Sequence, residues 1–366
     1  MILGNRTILF FGGGRWARIL ILACINLKKK NWNIVVYTPR NSLGMQSWID
    51  QHDLSNHVEV ISDLTCIKNE IQAAIVVNAV KDHVSSINWA LDQGIAVLVE
   101  KPMALNSVDL LFLLNKAKQQ NVALVPAHIF LFCDYLYQFK EILVSEDEIE
   151  TISIDWVDPK NEVRYGEGKT YDASLYVIAD WLPHIMSILS MVIPTPILDT
   201  KFNELELQHG GAEVWLSLSS GNIPIQVSMA REGSARLRLL QIKSNTGKTY
   251  SINFTKEPGE IFVDGKLVKN ETTWGQENRP TIKMVNSFLT LVESGKEDDA
   301  LKVDIALKTS QLLDEMYPIY SKKRRKWLRD TNHLITDKAG IIYGLKEQLS
   351  VQLSNNKVIK WEENII

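Results

Sequence analysis

Leu9–Leu20 reads LFFGGGRWARIL: three glycines set between an apolar run and the start of an amphipathic segment. Gly12-Gly13-Gly14-Arg15-Trp16-Ala17 fits G-x-G-x-x-A in the context that gives the pattern meaning, between a strand and a helix. Gly12 permits the tight turn, Gly14 lets the backbone approach a pyrophosphate, and Ala17 allows the helix to pack closely on the strand. The helix start at Arg15 and Trp16 then offers unpaired N–H groups to phosphates. Gly12, Gly14, Arg15 and Trp16 are therefore the first candidate cofactor contacts.

Outward from this turn, short aliphatic runs alternate with amphipathic stretches. TILFF (7–11), NIVVY (33–37), AAIVVNA (73–79), AVLVE (96–100) and VALVP (122–126) read as strands. RWARILILACINLKKK (15–30), VSSINWALDQG (84–94) and SVDLLFLLNKAKQQN (107–121) have helical length and period, the last two closing on C-cap residues Gly94 and Asn121. Unbroken Val/Ile/Leu strands alternating with helices predict a parallel sheet covered on both faces. Residues 1–126 are thus expected to form a Rossmann dinucleotide-binding domain.

After residue 127 the rhythm changes. TISIDWV (151–157), EVWLSLSS (213–220), IPIQVSMA (223–230), ARLRLLQIKS (235–244) and KTYSINF (248–254) follow, mostly without long helices between them. EIFVDGKLV (260–268) reads as a hairpin turning at Asp264-Gly265. Two helices, near 280–294 and 299–321, close the region, and the SKKRRK run (321–326) suits the cationic end of a helix. The fold class expected is α/β: an N-terminal Rossmann parallel sheet plus a C-terminal α+β domain (127–330) with a largely antiparallel open sheet. Residues 331–366 form a tail without an assigned role. An open sheet with one apolar face needs a cover, so a homodimer or homotetramer through the C-terminal sheet is expected.

Bulk properties exclude several classes. The 366 residues carry 40 basic against 43 acidic side chains, a net charge of −3, with no basic patch for nucleic acid. Cys24, Cys66 and Cys133 are an odd number at wide spacings, which fits free thiols in the cytoplasm better than a disulfide framework. The N-terminal apolar run is broken by glycines and arginines and lacks the pattern of an export signal. No stretch approaches the ~18 apolar residues of a membrane span. Seven scattered histidines give no metal-ligand spacing, so no metal is expected.

The strand NIVVY chooses between nicotinamide cofactors. An NAD site carries Asp or Glu at the end of this strand to hold the ribose 2′-hydroxyl. Here the strand runs into Thr38-Pro39-Arg40-Asn41, and no acidic residue follows before Asp50. Arg40 could pair with a 2′-phosphate, with a hydroxyl from Thr38, which favours NADP(H) over NAD(H).

The glycine turn, VVNAVKDH (76–83) and EKP (100–102) together resemble the glucose–fructose oxidoreductase/inositol dehydrogenase (Gfo/Idh/MocA) family, over most of the chain to about residue 320. The resemblance implies that Lys101 sits beside the nicotinamide and the reacting carbon. It further implies a cis peptide before Pro102, which only an X-Pro bond adopts cheaply, and a supporting or cofactor-side role for Glu100. Asn78 and His83 belong to the cofactor side on the same ground. The family's second signature, Asp-x-x-x-His, is matched by Asp180 and His184, whose spacing puts them on one helical face.

At pH 7 an unperturbed lysine is almost wholly charged and a histidine largely neutral. His184 is therefore assigned proton transfer and Lys101 the polarisation of a carbonyl, with Asp180 orienting the histidine or substrate. His128 and Trp181 join Lys101 and His184 as candidate substrate contacts. Departures from the family cluster on the substrate side: NAV (78–80) stands for a Thr-Pro-Asn-like run, PAHIFLF (126–132) lacks an arginine, and Ser187 replaces an acid. The expected reaction is hydride transfer to or from a small substrate, by the family's habit a keto sugar, nucleotide sugar or cyclitol. An imine reductase of the thiazolinyl type and a non-catalytic dinucleotide-binding regulator are the alternatives.

Overall fold

A computed structural model describes residues 6–27, 32–67, 70–143, 148–159, 162–164, 167–168, 175–270, 274–275 and 278–330. The tail at 331–366 lies outside the described residues. The chain divides into two compact units, and not at a single cut after 126. The first joins Met1–Cys133 to Gly275–Ser310; the second joins Asp134–Trp274 to the chain from Gln311.

The first unit is built on a six-stranded parallel sheet in the order β3-β2-β1-β4-β5-β6. Its strands are β1 (Arg6–Phe11), β2 (Trp32–Tyr37), β3 (Val58–Ile61), β4 (Ala73–Val76), β5 (Ala96–Val99) and β6 (Leu124–Pro126). Helices α1 (Arg15–Asn26), α2 (Ser42–Gln51), α3 (His83–Asp92) and α4 (Ser107–Gln120) connect them. Ile8, Leu9 and Phe10 are fully buried, as strands covered on both faces require. Each such side chain stabilises the fold by roughly 1.5–3 kcal/mol. The expected helix ends hold: Asn121 caps α4 with φ +53°, and Gly94, at φ +68°, follows the Gln93 cap of α3. The sequence reading missed β3 and α2. β3 is a four-residue edge strand with its glutamate exposed, and α2 buries only Met45, Trp48 and Ile49.

The helix expected at 280–294 belongs with this unit and not with the second. α7 (Pro280–Ser294) packs on α1, and its Glu293 accepts from Trp32 Nε1 at 3.2 Å and pairs with Arg6 at 2.6 Å. Further along, Ala306 and Leu307 pack into the core formed by Leu9, Val97 and Leu113. They lie in α8 (Asp304–Asp330), within which the unit boundary falls.

The second unit carries an eight-stranded sheet. Its strands are β7 (Ile149–Pro159), β10 (Thr200–Gln208), β11 (Glu213–Ser220), β12 (Ile223–Gly233), β13 (Leu237–Ser244), β14 (Thr249–Asn253), β15 (Glu260–Val263) and β16 (Lys266–Asn270). A separate two-stranded ribbon pairs β8 (Val163–Arg164) with β9 (Glu167–Gly168). The large sheet runs β10-β11-β12-β7-β13-β14-β15-β16, antiparallel except for the parallel pair β12–β7. Asp264 and Gly265 both have positive φ, +48° and +72°, in the hairpin turn read from the sequence. β10 escaped that reading because it is an edge strand of mostly exposed Lys, Asn and Glu.

Helix α5 (Asp134–Leu143) packs against β15, and α6 (Val177–Val192) against β11 and β12. The sheet's apolar face, including Leu216, Val227 and Met229, is therefore covered by α6 of the same chain. This corrects the premise that a second copy is needed to cover it. The opposite face mixes Ser, Thr and Gln with half-buried Val157, Leu237, Leu239 and Phe262, and Trp215 is exposed.

Candidate dinucleotide site and catalytic residues

The glycine turn leaves β1 with Gly12 at φ +123° and its N–H donated to Tyr37 O at 3.0 Å. A Cβ at Gly12 would lie 2.8 Å from the Asn78 backbone nitrogen, and one at Gly13 would lie 2.8 Å from the Thr38 methyl and hydroxyl. A Cβ at Gly14 would meet nothing within 4 Å. Gly14 also serves as N-cap of α1 without a side-chain cap. The start of α1 is thus open at Gly14, at the positive end of the helix dipole, the polarity a pyrophosphate needs. Asn78 donates to Ser86 Oγ at 2.8 Å, while its buried Oδ1 has no partner among the described residues. The residues present fit a dinucleotide.

Several expected cofactor contacts turn out to support the turn. Thr38 is buried against Gly13, so it packs the turn and does not stand at its rim. Trp16 donates its indole N–H to Glu100, which is buried and whose other oxygen accepts the Lys101 backbone N–H at 3.2 Å. Trp16 and Glu100 therefore tie the first turn of α1 to the end of β5. His83 is 1% exposed, with Nδ1 2.9 Å from Pro102 O and Nε2 3.2 Å from Asn78 O. It clamps the loop after β4 to the segment carrying Lys101. Burial holds its pKa below the ordinary value against the upward pull of the two carbonyls. Lys101 is half-buried and its bond to Pro102 is cis. Arg15 is half-buried at the start of α1. Arg40 is exposed, and its Nη1 lies 3.5 Å from Asp82 Oδ2, a carboxylate the local sequence around β2 could not reveal.

His128 stands at the level of Lys101. Val99 pairs with Pro126, and Ala127 donates to Val99 O at 2.7 Å, so each residue lies two positions beyond its paired strand end. Parallel sheets bind ligands outside these carboxyl ends. His128 is 2% exposed, neither ring nitrogen has a partner among the described residues, and burial pulls its pKa down to about 4. The folded state keeps this imidazole neutral where the unfolded chain, at 6.5, takes up a proton. The stability it supports is present above pH 6.5 and lost as the pH falls toward 4. Urea unfolding should show about 2–3 kcal/mol of this loss between pH 7.5 and 4.5. His128→Gln should remove that share of the acid sensitivity; an unchanged pH dependence would mean that the ring is protonated in the native state. The aromatic run beside it is core: Phe130, Leu131 and Phe132 are buried, and this segment packs on α7.

In the second unit, Asp180 and His184 both face the sheet from α6. Asp180 Oδ2 accepts from Arg231 Nη2 at 3.2 Å, and Arg231 is fully buried on β12. The His184 ring stacks on Trp156 of β7, with centroids 5.6 Å apart and planes 18° from parallel. Trp156 also carries the Arg238 guanidinium 4.1 Å from its centroid. Arg238 ion-pairs with buried Asp158, which Arg236 joins at 3.3 Å. Burial pulls the Arg238 pKa down to about 10 against the pull of Asp158. Trp181, expected on the substrate side, is 2% exposed and packs against Trp156 and Arg231, so it belongs to the core. Arg231, Arg238 and Asp158 were missed although a signal existed: Arg231 continues the inward alternation Ile225, Val227, Met229, and Arg238 that of Leu240 and Ile242.

Among the described residues no three His, Cys, Asp or Glu side chains gather as a metal site, and no helix is long and apolar enough to cross a membrane. Residues 6–128 match the model of the Gfo/Idh/MocA oxidoreductase family, described by its NAD-binding Rossmann fold. Over these residues the chain is similar to that family. No curated protein sequence matches it. Solved structures share the fold at low identity. A dehydrogenase (MviM) from Clostridium difficile aligns with TM-score 0.68 and 16% identity over 86% of this chain and 99% of its own. UDP-N-acetylglucosamine 3-dehydrogenase GnnA from Acidithiobacillus ferrooxidans gives 0.65 and 13% over 88% and 99%. KijD10, a 3-ketoreductase from Actinomadura kijaniata in complex with TDP-benzene and NADP, gives 0.68 and 15% over 85% and 96%.

Proposed function

We propose that this protein is an NADP(H)-dependent oxidoreductase that interconverts a ketone and an alcohol on a nucleotide-linked sugar. The observation that carries the reading is the open, uncapped helix start at Gly14 beside an end of β5 that bears Lys101. The nicotinamide would supply or accept the hydride. Gly12, Gly14 and the first turn of α1 hold the pyrophosphate, and Arg40 meets the 2′-phosphate. Lys101, its backbone fixed through Glu100 and through the His83 contact to Pro102, polarises the carbonyl and holds the developing alkoxide. Within the second unit Asp180 fixes the inward face of α6 through Arg231, and His184 on that face is the candidate for proton transfer.

One structural relative is named for a nucleotide sugar, and another, a 3-ketoreductase, was solved with TDP-benzene and NADP, which supports the choice of substrate class. An imine reductase would call for an aromatic, apolar pocket, and the aromatic segment beside His128, Phe130 to Phe132, is buried in the core. A purely regulatory role leaves Lys101, Asp180 and His184 together unexplained.

The test is a titration with NADPH and NADH followed by nicotinamide fluorescence, and then oxidation of NADPH by 3-keto nucleotide sugars. Tighter NADPH binding with turnover on a nucleotide-linked ketone is the expected result. Binding of neither dinucleotide would overturn the reading; binding with turnover only on free sugars would overturn the substrate class.

A further inference from the structure

The sheet order places β1 between β2 and β4, so the loops after β2 and β4 flank the glycine turn that follows β1. Both loops are packed on it. Asn41 Nδ2 donates to Gly13 O at 2.9 Å and Thr38 lies under Gly13, while the Asn78 backbone abuts Gly12. From these two flanks Arg40 and Asp82 reach each other, Nη1 to Oδ2 at 3.5 Å, with side chains 76% and 36% exposed. Their contact joins the two sides of the cradle at the end of β2, where the adenosine ribose of a dinucleotide lies in this fold. The two partners are not equally mobile. Asp82 sits on a backbone held by its N–H to Ala79 O at 2.8 Å and by the buried His83 next to it. Arg40 extends into solvent on a long stem.

We infer that Asp82 sets the NADP/NAD selectivity of this site by competing with the 2′-phosphate for Arg40. This rests on the dinucleotide reading above. A 2′-phosphate must take over donors of Arg40 while a fixed carboxylate remains beside it, and the repulsion opposes the gain from the arginine. NADH carries no 2′-phosphate to be repelled, and a carboxylate there can accept from its ribose hydroxyls, as the missing acid at the end of β2 would. Asp82 thus narrows the NADPH preference that Arg40 creates.

Asp82→Asn removes the charge with little change in shape at an exposed position. It should tighten the NADPH Kd roughly five-fold and leave the NADH Kd unchanged or weaker, an effect that shrinks with added salt. Arg40→Gln should weaken NADPH roughly ten-fold, and in that background Asp82→Asn should tighten NADPH by clearly less than five-fold, only the direct repulsion remaining, as coupled sites require. An unchanged NADPH/NADH ratio in Asp82→Asn would overturn the assignment, as would equal tightening of both nucleotides or an additive double variant. In each of these cases dinucleotide binding survives, so the functional reading stands. If the native chain binds neither nucleotide, that reading falls and takes this inference with it.

Discussion

Lys101→Met should lower turnover by about 10³-fold while the NADPH Kd stays within about three-fold of native. The estimate follows from the loss of one preorganised charge aimed at a developing oxyanion, an effect of this order where it has been isolated. Methionine keeps the apolar stem and removes only the ammonium group, and the contacts that fix the segment are made by other groups. The Lys101 N–H goes to Glu100, and Pro102 O to His83. The scaffold should therefore survive the substitution. Single-turnover mixing of enzyme, NADPH and ketone separates the chemical step from product release. A slow hydride step at saturating ketone places the loss in the transition state, whereas a raised KM with normal kcat would make Lys101 a binding residue. Turnover above a third of native would remove Lys101 from the chemistry.

What the sequence disclosed follows from the range of the interactions involved. The glycine turn, the Asp264-Gly265 hairpin and the Asn121 cap are legible because backbone sterics within a few residues decide them. The two units were recognisable by their strand patterns, but their true membership was not, because α7 joins the first unit through Glu293 contacts to Arg6 and Trp32 more than 260 positions away. The same limit applies at the site. His83, Trp16 and Thr38 were read as cofactor contacts, and their side chains hold the turn together. Only the fold shows that their polar or packing groups are directed at the Asn78 and Pro102 carbonyls, Glu100 and Gly13. Arg40 looked free of acidic neighbours along the chain, yet Asp82 reaches it from the far side of β1. Arg231 and Arg238 were readable in principle, since each occupies the apolar phase of a strand, and a charged side chain there needs a buried partner.

Arg238→Met should destabilise the protein by about 3–5 kcal/mol, a large share of the stability of an ordinary domain. Arg238 is 2% exposed and pairs with Asp158, which has no exposure at all, and its Nη1 also donates to the Val157 and Leu237 carbonyls. Removing the guanidinium leaves Asp158 buried with Arg236 at 3.3 Å as its remaining described ion-pair partner, and strips two backbone carbonyls of a donor. Methionine fills most of the volume, so cavity formation adds little and the charge imbalance dominates. The urea midpoint, read from tryptophan fluorescence, is the natural measurement because Trp156 lies directly beneath the missing cation. Replacing both partners, Arg238→Met with Asp158→Leu, should recover much of the loss, since no uncompensated charge then stays inside. Lys323→Gln, which breaks the exposed pair with Glu206, should leave the midpoint essentially unmoved. An equal loss in the single and double variants would locate the stabilisation in the hydrogen bonds to Val157 and Leu237, and the ion pair would then contribute nothing of its own.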